Sequence, residues 1–197
     1  MIAVSSLRRC VLLPLLLLGA CASAPPEHFY TLEPSVAIDS SAAVSDLSIA
    51  VGPLSLPELI DRPQMVLQSG SNQVDIPESR RWAESLRRAI PRVISGNLRR
   101  LLPGAAVATR SEQAGATAKY NVAVDILRFD ARLGDATTLE ARWRIQSAGR
   151  PAKSGLTTLR EPVQGADHDA VAAAHGRALA ALSRDIAAAI GALERAP

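Results

Sequence analysis

The sequence has 197 residues, of which 48% are hydrophobic, 21% are charged and only 3% are aromatic. A hydrophobic fraction of this size excludes a disordered chain, and the length suits one compact domain. The basic residues number 22 against 19 acidic ones, and removal of Arg8 and Arg9 with the segment discussed next leaves 20. This balance gives no support for nucleic-acid binding, and the few scattered aromatic residues cannot form a base-stacking platform.

The first 20 residues have the layout of a secretory signal peptide. Arg8 and Arg9 give a positively charged start with no acidic residue, and residues 11–18 are apolar, interrupted only by Pro14. This apolar run is far shorter than the ~20 residues that a membrane-spanning helix needs. A buried N-terminal helix would need polar residues at helical spacing, and residues 11–18 contain none. We therefore expect residues 1–20 to be removed.

The residues Leu18-Gly19-Ala20-Cys21 resemble the lipobox of bacterial lipoproteins. This resemblance implies that Cys21 becomes the new N-terminus and carries acyl chains such as palmitate on its sulfur and its amine. Two or more chains make a stable membrane anchor, whereas a single chain is marginal. Ala22 follows the cysteine in place of Asp, which by resemblance to enterobacterial sorting favours the periplasmic face of the outer membrane.

The mature chain then has no thiol, because Cys10 leaves with the signal peptide and Cys21 is acylated. A disulfide and cysteine catalysis are therefore excluded. Residues 21–27 form a short tether that reaches roughly 20 Å when extended. Residues 28–197 form the single domain that follows, close to the membrane surface.

Hydrophobic alternation predicts most of the strands. Strict alternation marks residues 120–126 and 139–145, with a hairpin at Gly134-Asp135 between them. Residues 28–32, 47–51, 64–68, 73–76 and 156–160 are predicted as further strands, with the strand at 47–51 ending at Gly52-Pro53. A hairpin turn is expected at residues 69–72.

Two helices are predicted from apolar residues at steps of three to five. The first covers residues 78–102, includes Trp82 on its apolar face, and should be kinked by Pro91. The second covers residues 167–193 and is rich in alanine, which allows close approach to a sheet. Arg80–Glu84 and Glu84–Arg88 are expected to pair on the first helix at a spacing of four.

No motif for catalysis is found. The sequence lacks a Gly-x-Ser-x-Gly elbow and a glycine-rich phosphate loop, and residues 68–72 only approach the former. His168 and His175 lie seven residues apart on the last helix, but no metal-ligand motif surrounds them. We interpret Asp167 and Asp169 as favourable charges at the helix N-terminus and His175 as a core residue. The sequence therefore predicts no catalytic residue, no metal and no cofactor.

The arginine-rich helix remains as a candidate surface. Its basic face could meet lipid head groups or an acidic partner, or it could be a solvated face with internal ion pairs. The sequence does not decide between these interpretations.

The chain contains the short runs Leu56-Pro57, Asp61-Arg62-Pro63-Gln64, residues 68–72, Arg81-Trp82-Ala83-Glu84-Ser85-Leu86 and Asn97-Leu98. Together these runs resemble the ABC-type transport auxiliary lipoproteins, which include the PqiC-like outer-membrane lipoproteins of MCE-type lipid transport systems. Ser85 stands where many members are expected to have Pro. The resemblance covers essentially the whole mature chain.

The resemblance implies an α/β fold in three layers, with a mixed, roughly five-stranded sheet and helices packed on it. It also implies a non-catalytic role, which is to dock a periplasm-spanning MCE-type protein at the outer membrane. An ABC transporter or a related inner-membrane complex feeds lipid to that MCE-type protein. The alternative function is a periplasmic carrier that binds lipid or another hydrophobic molecule.

The residues expected to contact the partner are Asp61, Arg62, Arg87 and Arg88. Asp61-Arg62 could equally be a loop ion pair, and Trp82 is favoured as a core residue over a surface one. A homo-oligomer is possible, and the sequence leaves the oligomeric state open.

Overall fold

The computed structural model describes residues 25–38, 46–110 and 118–195. The strands are β1 (His28–Tyr30), β2 (Ser48–Ser55), β3 (Leu67–Gln68), β4 (Val74–Asp75), β5 (Arg80–Trp82), β6 (Ala106–Thr109), β7 (Tyr120–Ala131), β8 (Ala136–Ser147) and β9 (Arg150–Pro162). The helices are α1 (Leu86–Leu101) and α2 (His168–Arg195). The expected signal peptide and Cys21 lie outside the described residues.

The main sheet is mixed, which confirms the predicted α/β class. Its body has the strand order β6-β2-β7-β8-β9, and the short β3–β4 hairpin extends the far end of β7. The pairs β2–β6, β2–β7 and β3–β7 are parallel, whereas β7–β8 and β8–β9 are antiparallel. A second sheet contains only β1 and β5, which pair in parallel.

The alternation predicted for β7 and β8 is confirmed. Tyr120, Val122, Val124 and Ile126 are buried on one strand, and Leu139, Ala141, Trp143 and Ile145 on the other. Successive side chains of a strand point to opposite faces, so these residues form one apolar face of the sheet. Gly134, at a φ of 66°, lies in the turn between the two strands, as the sequence predicted.

Both helices pack on this apolar face. α1 lies against β2 and β6, and α2 lies against β8 and β9. The alanine-rich stripe of α2 is buried, including Ala174 and Ala178, so that the helix approaches the sheet closely. The opposite face of the sheet carries Arg142, Arg144 and other polar side chains and is exposed.

Residues 31–38 lie across both helices on their solvent side. Pro34 packs so tightly against Gly96 of α1 that a Cβ on the glycine would stand 2.4 Å from the proline ring. The buried Asn97 side chain accepts hydrogen bonds from the backbone N–H groups of Ser35 (3.0 Å) and Val36 (3.2 Å). Leu32 and Val36 are buried while their neighbours are exposed, which shows that this segment closes the outer side of the helix pair.

The predicted start of the first helix at residue 78 is wrong. Residues 80–82 form β5, Ser85 is the N-cap and α1 begins at Leu86. Trp82 therefore lies on a strand, where it is buried against the core, and the interpretation of this residue as a core residue is confirmed. The pairs expected at a spacing of four do not form, because Glu84 precedes the helix and binds Arg92 instead, at 2.9 Å.

Other boundaries also differ from the sequence prediction. β2 continues through Gly52-Pro53 to Ser55, and β9 is longer than expected at both ends. β6 was not predicted, and of residues 64–68 only Leu67–Gln68 form a strand in the described sheet. The last helix agrees with its prediction to within two residues, and Asp167 caps it by accepting a hydrogen bond from the Ala170 N–H at 2.8 Å.

Candidate functional site

The irregular end of β2 forms a ridge, residues 52–54, on the surface of the domain. The pairing register between β2 and β7 shifts between Val51 and Leu54. Gly52 has a φ of 132°, and a Cβ at this position would stand 3.0 Å from the Cβ of Arg110. A side chain is disfavoured at such a φ, so glycine allows the chain to leave the regular strand at this point.

A cleft of about 430 Å³ lies on the helix side of the ridge. It is lined by the ridge, the beginning of α1 and the end of β6. Its charged residues are Glu84, Arg87, Arg88, Arg92 and Arg110. Its apolar surface comes from Val51, Pro53, Leu54 and Pro91. One carboxylate therefore stands against four guanidinium groups.

A second cleft, of about 450 Å³, lies on the other side of the ridge against the open face of the sheet. Arg110 lines this cleft as well, together with Arg142 and Arg144 from β8 and Asp125 from β7. The two clefts form a continuous surface, which we call the arginine band: Arg87, Arg88, Arg92, Arg110, Arg142 and Arg144.

Three members of the arginine band are engaged in ion pairs. Arg87 binds Asp61 at 2.6 Å, and Arg142 is 3.9 Å from Asp125. Arg92 binds Glu84 and also lies 3.4 Å from Glu33. Partial burial disfavours the Arg92 cation, but the hydrogen bond and charge of Glu84 outweigh this, and the pKa of Arg92 is raised.

The other three members, Arg88, Arg110 and Arg144, have no carboxylate partner within residues 25–38, 46–110 and 118–195. All three are exposed. A guanidinium group offers several N–H donors in a planar fork that matches carboxylate and phosphate oxygens. The arginine band therefore has the chemistry to bind anionic groups, because three of its cations lack a carboxylate partner among the described residues.

The beginning of α1 carries its charges against the helix dipole. Arg87 and Arg88 lie in the first turn, which contains no acidic residue, and the Ser85 side chain makes no capping hydrogen bond. Cations are unfavourable near a helix N-terminus. The arrangement therefore adds nothing to helix stability and concentrates positive potential at the cleft.

The structure brings together three of the four residues predicted from the sequence. Asp61 and Arg87 join the turn after Pro57 to α1, and Arg88 lines the cleft. Arg62 lines neither cleft, and its buried Nε atom has no hydrogen-bond partner in the part of the chain that the structure describes. Whether these residues contact a partner stays a prediction.

Sequence reasoning missed Arg110, Arg142 and Arg144. Arg110 follows β6, which was not predicted, and it reaches the site only because β6 pairs with β2. Arg142 and Arg144 alternate with the apolar residues of the strand predicted at 139–145, but the alternation of one strand does not reveal which elements lie beside its polar face. In the sequence, only the Gly52-Pro53 step inside β2 hints at the irregular end of this strand.

The two histidines of α2 occupy separate environments. His175 is buried and stacks on Phe129 with ring centroids 3.9 Å apart, and no described residue makes a hydrogen bond with its Nδ1 atom. Burial lowers the pKa of His175 to about 3. His168 stacks on Tyr30 at 5.9 Å, and its pKa is lowered by burial and by Arg80. Among the described residues, no three metal-ligating side chains come together.

The interior cavity beside His175 is small. It measures about 10 Å³, which is at or below the volume that one water molecule needs. The two larger clefts are open at the surface. None of these three spaces would enclose an acyl chain. In the part of the chain that the structure describes, neither helix is apolar enough over a sufficient length to cross a bilayer.

Comparison with known families matches residues 30–187 to the ABC-type transport auxiliary lipoprotein component. The match covers most of the chain, so this protein belongs to the ABC-type transport auxiliary lipoprotein family. It is accordingly a lipoprotein of the cell envelope with an auxiliary role in ABC-type transport. Comparison with curated proteins finds no match to this sequence.

Solved structures share the fold. A crystal structure of an uncharacterised protein matches with a TM-score of 0.71 and 20% identity over 84% of this chain and 99% of that chain. Protein XCC0632 from Xanthomonas campestris matches with a TM-score of 0.64 and 19% identity over 81% of this chain and 92% of that chain. At these identities the likeness concerns the fold alone.

Proposed function

We propose that this protein is the non-catalytic lipoprotein of an MCE-type intermembrane lipid transport system. Anchored through Cys21 to the periplasmic face of the outer membrane, it docks a periplasm-spanning MCE-type protein there. The inner-membrane end of the system is an ABC transporter or a related complex. Family membership and the lipobox support this assignment.

The observation that carries the docking role is the arginine band. Arg88, Arg110 and Arg144 lack carboxylate partners among the described residues and stand on both sides of one ridge. Charge complementarity steers association and fixes the register of two partners. The arginine band is therefore the proposed binding site for an acidic surface of the MCE-type partner, and Asp61 holds Arg87 in place within it.

The tether supports the need for such a partner. Residues 21–27 reach roughly 20 Å when extended, so the domain stays near its own membrane. Transport across the periplasm then requires a second protein that comes to the domain.

The carrier alternative receives less support. A carrier should hold its lipid in an enclosed apolar cavity, and the cavity beside His175, among the described residues, measures only about 10 Å³. Lipid that copurifies in stoichiometric amount with the isolated protein would favour the carrier. Copurification with an MCE-type protein favours docking.

The test is a pull-down of the MCE-type protein with the tagged, full-length lipoprotein. The double variant Arg88→Glu, Arg110→Glu should lose most of the captured partner, and added salt should weaken capture by the wild-type protein. Arg184→Glu is the matched control, because Arg184 is an exposed arginine of α2 that lines neither cleft. Full capture by the double variant would contradict the assignment.

A further inference from the structure

Phe29 is exposed, whereas the other five aromatic residues of this protein are buried or half-buried. The sequence contains two Trp, two Tyr and two Phe, and all six lie within the described residues. Trp82, Tyr120, Phe129 and Trp143 are buried, and Tyr30 is half-buried. Phe29 is 59% exposed. More than half of this side chain is open to water, so a surface that covers the ring would gain hydrophobic stabilisation.

The strand geometry holds Phe29 outward. Tyr30 points inward and stacks on His168, and Trp82, its register partner on β5, is buried. Because successive side chains of a strand point to opposite faces, Phe29 must lie on the outer face of the β1–β5 sheet. The ring cannot turn into the core without removing Tyr30 from it.

The cation beside Phe29 on the outer face of the β1–β5 sheet is engaged in an ion pair. Arg81 is the register partner of Phe29 and lies on the same face. Its Nη1 atom donates to the Glu27 carboxylate at 3.0 Å. The outer face of the small sheet therefore presents an aromatic ring beside a closed ion pair, in contrast to the arginine band.

The position of Phe29 in the chain indicates what covers it. It follows Cys21 by only eight residues, so an anchored chain can never carry the ring more than roughly 30 Å from the lipidated residue. Pro25 and Pro26 stiffen the last part of this connection. Tethering at such a length gives a high effective concentration of bilayer surface, so even a weak contact is populated.

We infer that the outer face of the β1–β5 sheet is a second membrane contact, in which the Phe29 ring inserts into the interface of the bilayer that holds the anchor. Aromatic residues are favoured at this depth of a membrane. The contact fixes how the domain stands on the membrane, which an acylated tether alone does not. This inference rests on the anchor of the proposed function and is independent of the arginine band.

The test uses the lipidated full-length protein in vesicles of phosphatidylethanolamine and phosphatidylglycerol. Phe29→Trp reports the depth of the ring through quenching by lipids whose acyl chains are brominated close to the headgroup. The control is Leu156→Trp, which replaces a similarly exposed side chain (58%) on β9. Trp82 and Trp143 are buried and provide a constant background that the wild-type protein measures.

We expect Phe29→Trp to be quenched severalfold more than Leu156→Trp, with a blue shift of its emission. High salt should leave the quenching unchanged, because the Arg81 guanidinium beside the ring is already paired with Glu27. Equal quenching of the two variants in protein that floats with the vesicles would overturn the inference. Protein that does not float would instead contradict the anchor at Cys21, and the membrane contact would fall with it.

Discussion

Asn97 within α1 and Arg110 at the end of β6 both have polar side chains, but their surroundings are opposite. Asn97 is buried beneath residues 31–38, and its side chain binds two backbone N–H groups and the Ser183 hydroxyl. Arg110 is exposed, lines two clefts and has no carboxylate partner among the described residues. Buried polar groups are costly unless satisfied, whereas exposed charges contribute little to stability. The comparison teaches that polarity in the interior fixes the fold, while polarity at the arginine band is available for binding.

The largest expected effect on stability is at Asn97. Asn97→Leu leaves the N–H groups of Ser35 and Val36 without an acceptor, which should lower the free energy of unfolding by about 4 kcal/mol. Chemical denaturation of the purified protein measures this. Asn121→Ala, a half-buried asparagine on the open face of the sheet, is the control and should cost well under half as much. Equal losses would break the distinction between the two regions.

His175 makes the interior sensitive to acid. Its pKa is about 3 in the folded protein, against an ordinary value of 6.5, so below pH 6.5 the unfolded chain binds a proton that the folded protein does not. His175 therefore leaves the free energy of unfolding unchanged above pH 6.5. As the pH drops toward 3, protonation of His175 in the unfolded chain lowers this free energy, by roughly 3 kcal/mol at about pH 4.5.

His175→Leu should remove most of this pH dependence. The measurement is the difference in unfolding free energy between neutral and acidic pH for both proteins. His28→Gln, at an exposed histidine, should behave like the wild-type protein. A wild-type slope that survives in His175→Leu would show that other groups cause it.

A smaller effect is expected at Gly155. A Cβ at this position would stand 2.2 Å from the Trp143 ring, which lies over the glycine and donates a hydrogen bond to Thr157 at 3.1 Å. Gly155→Ala should displace the ring and lower the melting temperature, at a cost of about 1–3 kcal/mol. Near-ultraviolet circular dichroism reports the ring directly. Gly149→Ala is the control, because Gly149 lies in an exposed turn and nothing stands within 4 Å of a Cβ at this position. Any loss of stability in this control comes from the backbone conformation alone.

The smallest effect on stability, with opposite sign, is expected in the arginine band. Arg88→Glu places an acidic residue in the first turn of α1, which now contains none. The helix dipole favours this by about 0.3–1 kcal/mol. The melting temperature should therefore stay the same or rise slightly, while capture of the MCE-type partner falls. Loss of both properties would show that Arg88 is structural.

The sequence predicts the parts of this fold that local periodicity governs. β7, β8 and α2 follow from alternation and from the apolar stripe of the helix. The beginning of α1 does not, because Trp82, Leu86 and Ile90 have helical spacing although residues 80–82 pair in parallel with β1, far away in the chain. β6 was missed because a short run of small residues has no clear period.

Only part of the candidate site can be predicted from the sequence, because the rest depends on contacts between distant parts of the chain. Arg87 and Arg88 stand together in the chain and attract notice as a pair. Arg110 and Arg144 join them only through the β2–β6 and β7–β8 pairings and through the register shift at the ridge. A surface that depends on the order of strands cannot be located before that order is known.

Photo-crosslinking in the cell envelope tests the central claim most directly. A photoreactive phenylalanine derivative replaces Arg110 in one strain and Arg184 in another. If the arginine band is the docking surface, irradiation should link the MCE-type protein to the chain substituted at Arg110 and leave the chain substituted at Arg184 unlinked. Crosslinks at Arg184 with none at Arg110 would contradict the account.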